Sequence, residues 1–167
     1  MNILIHDLEK DDISSIIPGL SDDLRIISED GSIKNCIGCF GCWVKTPAVC
    51  IIRDSYGDMG EMLSKSDKVT LVSKCYYGGF SPFIKNVIDR SISYLHPYFE
   101  IRNEEMHHKN RYENHFVLQV IFYGDTITDE EKQTAANFVK AISVNLDCRG
   151  HEITFVNNLA EMEGLTI

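Results

Sequence analysis

The sequence predicts an α/β fold in which helices cover both faces of a parallel sheet. Three observations predict it: short apolar or β-branched runs recur along the chain, segments of helical spacing fall between them, and glycines or capping residues stand where one changes to the other. Asn2 to Ile5 is a short apolar run that reads as a buried strand, and Ile13 to Leu20 supplies a brief helix ending near Pro18-Gly19. Leu24 to Ile27 reads as the second strand, followed by a cysteine-rich loop and a helix around Tyr56 to Ser64. Val69-Thr70-Leu71-Val72, dense in β-branched residues, is the third strand and runs into Tyr76-Tyr77-Gly78-Gly79. Ser81 then fits a helix N-cap with Pro82 in the first turn, and Ile84, Val87, Ile88, Ile92 and Leu95 recur at helical spacing. Phe116 to Phe122 is the fourth strand, ending at Tyr123-Gly124-Asp125. Thr128 with Glu131 fits a capping box, Ala135, Phe138, Val139, Ile142 and Leu146 line one face of the next helix, and Gly150 closes it. Ile153 to Val156 is the fifth strand.

The chain has 167 residues, a length that predicts a single domain over residues 1–167. Its apolar fraction of 44% and charged fraction of 25% are ordinary for a globular protein, and no low-complexity stretch reads as a linker. Lys plus Arg number 16 against 25 Asp plus Glu, a formal net charge of -9, which argues against nucleic acid or an anionic membrane as the partner. The opening MNILIHDLEKDD passes from apolar to acidic within a few residues and so is neither a signal peptide nor a membrane span. A cytoplasmic protein is expected, in which six cysteines are thiols, metal ligands or redox groups rather than disulfides.

In a sheet of this class, ligands are expected beyond the carboxyl ends of the strands. The segments to search are therefore Tyr76 to Phe80, Tyr123 to Asp125, and the cysteine loop. In that loop Cys36, Cys39 and Cys42 recur at every third position, with glycines between them, and Cys50 follows. Such a loop can turn several sulfurs toward one centre, as in cluster-binding ferredoxins. Four thiolates also suit zinc, although structural zinc sites more often pair two separate knuckles. A third reading is that these are small apolar thiols packed in a tight loop, and it is the preferred one for Cys75 and Cys148, which fall in or beside regular elements.

The run CIGCFGCWVKTPAVCIIRDS, followed by a strand and YYGGFSPFIKNVIDR, resembles the NADPH-dependent FMN reductase group of flavodoxin-like proteins and, within it, the iron–sulfur flavoproteins. The resemblance implies a flavodoxin-like three-layer sandwich with a five-stranded parallel sheet of order 2-1-3-4-5. It implies FMN as cofactor, held by Tyr76, Tyr77, Gly78, Gly79, Phe80 and Ser81 with Tyr123 and Gly124, and a 4Fe–4S cluster on Cys36, Cys39, Cys42 and Cys50. The implied function is a flavin-dependent NAD(P)H oxidoreductase or an electron-transfer flavoprotein, with NAD(P)H or a redox protein as electron donor and a homodimer as the assembly. Lys85 and Asp89-Arg90 also match the group. On a helix Lys85 and Asp89 share a face and can pair, at about 0.2–0.5 kcal/mol, which reads as structural. No catalytic residue is singled out.

One segment departs from the group. Its members carry a hydroxyl-rich and amide-rich loop after the first strand, where a helix N-terminus holds the FMN phosphate. This chain has His6-Asp7-Leu8-Glu9-Lys10-Asp11-Asp12, whose carboxylates repel a phosphate. That segment supports the alternative reading, a flavodoxin-like chain that has lost its phosphate loop and acts as a non-catalytic binding or oligomerisation module.

The remaining titratable residues read as structural. Glu104 to Arg111 is expected to be a solvated surface segment, its adjacent histidines facing different ways. The helix after Ser81 carries His96, Tyr94 and Tyr98 toward either the flavin pocket or a dimer groove. Lys74 reads as an exposed strand-end lysine and Trp43 as a loop anchor. No Gly-x-Gly-x-x-Gly after a strand, Walker loop or Gly-x-Ser-x-Gly elbow occurs, so Rossmann-type dinucleotide binding, nucleotide hydrolysis and ester hydrolysis lack their signatures.

Overall fold

A computed structural model describes residues 1–9, 12, 13, 16 and 23–163. Five parallel strands form one sheet: β1 (Asn2–His6), β2 (Leu24–Ser28), β3 (Lys68–Lys74), β6 (Val117–Tyr123) and β7 (Gly150–Val156), in the order β2-β1-β3-β6-β7. Taken in sequence among the sheet strands this is 2-1-3-4-5, as expected. The register is regular, with Ile5 opposite Ile27 on one side and Leu71 on the other, and Val72 opposite Ile121. Among the described residues the helices between strands are α1 (Gly41–Val44), α2 (Met59–Ser64), α3 (Pro82–Arg90) and α4 (Asp129–Asn145). The helix expected over Ile13 to Leu20 lies largely outside the described residues.

Strand alternation divides the core between the two faces. Ile3, Ile5, Val69, Leu71, Leu118 and Val120 point to one face, where α2, α3 and α4 pack with Met59, Leu63, Ile84, Val87, Ala135 and Val139. Leu4, Val72 and Ile121 point to the other and meet Leu8, Ile16 and Met162. The interiors of β1, β3 and β6 are therefore buried on both faces, as a doubly covered parallel sheet requires, whereas the edge strands β2 and β7 expose Arg25, His151 and Glu152. Buried polar groups in them are paired: the Thr70 hydroxyl donates to Gln119 Oε1 at 3.0 Å across β3 and β6. Among the described residues no helix is long and apolar enough to cross a membrane.

The capping signals are realised. Ser81 caps α3 by accepting the Ile84 N–H, and Thr128 and Glu131 form a reciprocal capping box on α4. The stops differ from expectation. α3 ends at Arg90, a 3-10 turn follows over Ser91–Tyr94, and Leu95 opens an antiparallel hairpin of β4 (Leu95–Arg102) and β5 (Glu105–Asn110). His96 and Tyr98 therefore sit on a strand and not on a helix, and Glu104 to Arg111 forms a largely exposed β-ribbon segment in which only His107 is buried, bonded to Asn145 at 3.1 Å. α4 is closed by Asp147 in a left-handed conformation, φ 51°, whereas Gly150 begins β7. The second helix starts at Met59 instead of Tyr56, whose ring is buried and whose hydroxyl donates to the Ser28 carbonyl at 2.7 Å.

One side chain fastens the cysteine loop to this frame. Arg90, fully buried at the end of α3, donates from Nη1 and Nη2 to the two oxygens of Asp54 at 2.7 Å each, and also to the carbonyls of Lys34 and Ile52. A bidentate guanidinium–carboxylate pair has fixed geometry, so it sets where both ends of the loop lie.

Candidate functional site

The carboxyl ends of β1, β3 and β6 meet around Asp7, Lys74, Tyr76 and Tyr123. β3 leads into a two-residue hairpin: Tyr76 and Gly79 exchange N–H···O bonds of 3.0 and 2.8 Å, with Tyr77 at φ 53° and Gly78 at φ 82° between them. Two positive φ values in succession define a type I′ turn, normally given to Asn-Gly. Gly78 is required there, because a Cβ would lie 2.7 Å from the Glu131 carbonyl oxygen at the start of α4. Tyr77 has no such excuse. It is a bulky residue held left-handed and 88% exposed, with Tyr76 beside it 45% exposed and under the Lys74 ammonium at 5.9 Å.

The other residues of this segment face inward. Phe80 is buried against Phe122 and Phe138 at ring separations of 5.4 and 5.1 Å, so its face is already occupied. Ser81 spends its hydroxyl on the α3 cap, and its N–H donates to Ser73 Oγ. Gly124 donates its N–H to the Val156 carbonyl. Tyr123 is half-buried, and burial together with the Asp7 carboxylate pushes its phenol above the usual range. His6 is buried, lies below the ordinary imidazole range chiefly through desolvation, and accepts the Leu8 N–H on Nδ1.

The four cysteines of the motif are brought together elsewhere. Cys36, Cys39, Cys42 and Cys50 all line one cavity of about 550 Å3, together with Ile88 of α3, Ile92 of the 3-10 turn after it, Ile142 of α4 and Leu146 just beyond it. Cys36 and Cys39 are exposed, Cys50 is half-buried, and Cys42 is buried, with its thiol pushed up by desolvation first and then by the neighbouring Cys50. Among the described residues no three His, Cys, Asp or Glu side chains converge closely enough to hold a metal ion as they stand. Cys75 and Cys148 lie apart from the cavity, and burial pushes Cys148 up to about 12.

The two regions are not one site. The tyrosine hairpin precedes the N-terminus of α3 and touches that of α4, whereas the cavity is built on the C-termini of both. The 17 residues of α4 span about 25 Å, and the regions are separated on that scale. Sequence reasoning found the cysteines and the tyrosines but not Asp54, Arg90 as their anchor, or His108, which closes the cavity from β5 against Trp43 at a ring distance of 4.9 Å. The adjacent Asp89-Arg90 was the only signal for the anchor.

No family model and no curated protein matches the chain. Solved structures do. An NADPH-quinone reductase from P. pentosaceus superposes with a TM-score of 0.58 at 10% identity, over 93% of this chain and 83% of that one. The general stress protein 14 of Treponema denticola, in complex with FMN, gives 0.59 at 9%, over 97% and 91%. The chain has the flavodoxin-like fold. An NAD(P)H:quinone oxidoreductase from Methanothermobacter marburgensis, at 0.57 and 13% over 94% and 86%, agrees with that assignment. At such identities the likeness shows the flavodoxin-like fold and nothing finer.

Proposed function

We propose that this flavodoxin-like chain is a flavin-dependent oxidoreductase taking its electrons from NAD(P)H. The observation that carries the proposal is Tyr77, a left-handed, almost fully exposed tyrosine at the carboxyl end of the central strand. Strain of this kind costs about 1–3 kcal/mol and clusters at ligand-binding sites. The position is where open α/β sheets bind ligands, and FMN accompanies one protein of this fold.

Ring and phosphate test differently against the residues present. Tyr76 and Tyr77 offer aromatic faces, and the glycine pair lets backbone approach closely, so the hairpin suits an isoalloxazine ring. The carboxyl end of β1 does not suit a phosphate: the Asp7 carboxylate stands there and accepts the Lys74 N–H at 3.0 Å. When bound, a flavin supplies hydride acceptance and onward electron transfer. The chain's own part is to stack the ring, orient it through backbone N–H groups and, through Lys74, place a positive charge beside it.

The test is a spectrum of anaerobically purified protein, followed by flavin titration and NADH or NADPH oxidation assays. A flavin absorbance or micromolar uptake, weakened about tenfold in Tyr77→Ala, supports the proposal. Complete lack of uptake and of NAD(P)H oxidation sinks it and favours the binding-module reading, which the Asp7 carboxylate also supports.

A second reading adds a 4Fe–4S cluster on Cys36, Cys39, Cys42 and Cys50. Its support is that all four thiols line one cavity. The loop has to draw its sulfurs closer to hold the cluster, so iron and sulfide analysis, with Cys39→Ser as control, decides it.

A further inference from the structure

The hairpin of β4 and β5 is held to the body by one face and displays the other. Strand alternation puts Arg102 and His107 on the inner face, where Arg102 pairs with Asp147 and His107 bonds Asn145 at 3.1 Å, at the end of α4 and just beyond it. Phe99, Ile101, Met106 and His108 stand on the outer face, Phe99 opposite His108 and Ile101 opposite Met106. Among the described residues no further strand flanks the ribbon on either side.

The outer face runs on into the cysteine loop. Phe99 lies 4.5 Å from the His108 ring, His108 4.9 Å from Trp43, and Trp43 stacks on Phe40 at 5.6 Å, so four rings form a row from β4 to the start of α1. Val44 sits one helical turn after Phe40, its N–H bonded to the Phe40 carbonyl at 3.1 Å. Ile37, Phe40, Val44, Phe99, Ile101 and Met106 are each 57–76% exposed. Large side chains carry about 150–200 Å2 each, so these six expose on the order of 600 Å2, the upper end of the roughly 300–600 Å2 of the largest patch on a typical monomer.

The area matches what a dimer needs. The chain exposes 9247 Å2, whereas a monomer of 19.0 kDa exposes roughly 8,400 Å2 by the usual scaling of surface with mass. The excess of about 850 Å2 is close to the roughly 800 Å2 that each partner gives to a standard interface. Charge favours a second copy as that partner. With a formal net charge of -9, two copies repel over most of their surface. The outer face of the ribbon carries no Asp, Glu, Lys or Arg, since Glu100, Arg102 and Glu105 fall on the inner side, so like charges do not oppose one another there and no charge of one sign selects a foreign partner.

We propose that the outer face of this hairpin, with Ile37, Phe40 and Val44, is the surface on which two copies of the chain meet about a two-fold axis. Each copy lays its row of rings and its Ile101–Met106 pair against the same patch of the other, the self-complementary contact of most two-chain assemblies. The tyrosine hairpin is at the other end of α4, so the association does not depend on flavin.

Sedimentation equilibrium of the whole chain, with and without FMN, tests the proposal. The expected result is a species of twice the 19.0 kDa chain mass at micromolar concentrations, whatever the flavin content. Ile101→Glu and Met106→Glu each put a carboxylate on an exposed side chain, so the fold survives, as circular dichroism checks, while the dimer dissociation constant rises at least tenfold. Tyr77→Ala removes an exposed side chain outside the patch and leaves that constant unchanged. A chain that stays monomeric across the micromolar range overturns the proposal, and its co-sedimentation with phosphatidylcholine vesicles would give the face to a membrane instead. A dimer that both glutamate variants leave intact overturns it as well, because the interface then lies elsewhere.

Discussion

The carboxylate of Asp7 accepts the backbone N–H of Lys74 with both oxygens, at 3.0 and 3.3 Å, and so ties the carboxyl end of β1 to that of β3. An edge that presents backbone donors to an anionic ligand is here closed by the chain's own anion. A phosphate brought near that carboxylate meets a repulsion of about 1–4 kcal/mol for unit charges near 4 Å at effective dielectric constants of 80 to 20. Asp7→Asn keeps an oxygen for the Lys74 N–H and removes the charge. FMN affinity is expected to rise about tenfold or more, with riboflavin affinity unchanged. Calorimetric titration with both flavins checks it, and an equal change for both would show that the charge of Asp7 is not what limits FMN.

The sheet was legible in the sequence because its signals are local. Val69 to Val72 is β-branched, Ser81-Pro82 and Thr128 with Glu131 are capping patterns, and each forms the element expected of it. The hairpin was not legible. Leu95 continues the apolar spacing of α3, Pro97 weakens the strand reading, and Glu105 to Asn110 is almost wholly polar, so its strand character comes from pairing such as Phe99 with His108. Its turn places Asn103 and Glu104 at φ 52° and 68° with no glycine to announce it. The cysteine and tyrosine segments stood out by composition. That they lie at opposite ends of α4 follows only from the topology, and the Asp54–Arg90 anchor spans 36 positions that no spacing rule connects.

Gly78 should tolerate no side chain. Its φ of 82° disfavours any L-residue, and a Cβ would lie 2.7 Å from both the Glu131 carbonyl oxygen and Thr134 Cβ. Backbone cannot give way as a flexible side chain can, so Gly78→Ala either distorts the hairpin or pushes it off α4. A loss of about 1–3 kcal/mol in urea unfolding is expected, with weaker flavin uptake. Gly79→Ala, whose Cβ would have its nearest neighbour at 3.3 Å, serves as the milder comparison.

The buried pair of Asp54 and Arg90 makes acid stability depend on one carboxylate. Hydrogen bonding from Arg90 holds the Asp54 carboxyl down at about 2, below its ordinary value of 3.8. A folded-state value below the unfolded one stabilises the fold fully at pH above the ordinary value, and that contribution is lost as pH falls through about 2. Unfolding midpoints measured from pH 6 downward should therefore decline most steeply below pH 4. Asp54→Asn leaves a buried guanidinium without its counter-charge and is expected to cost about 3–5 kcal/mol at neutral pH, with a flattened acid limb.

Thiol reactivity should rank the cysteines by where the fold puts them. Cys36 and Cys39 are exposed on the motif loop, whereas Cys42 is buried and Cys148 is held protonated by desolvation, its thiol at about 12. The thiolate is the reactive form, so burial acts twice, by blocking access and by suppressing ionisation. Native protein treated with a chromogenic disulfide at pH 8 is expected to release a fast phase that Cys36→Ser and Cys39→Ser each diminish. Cys148 should react only on unfolding, at a rate set by denaturant. A fast phase unchanged by both serine variants would mean that the motif loop is not displayed as this fold displays it.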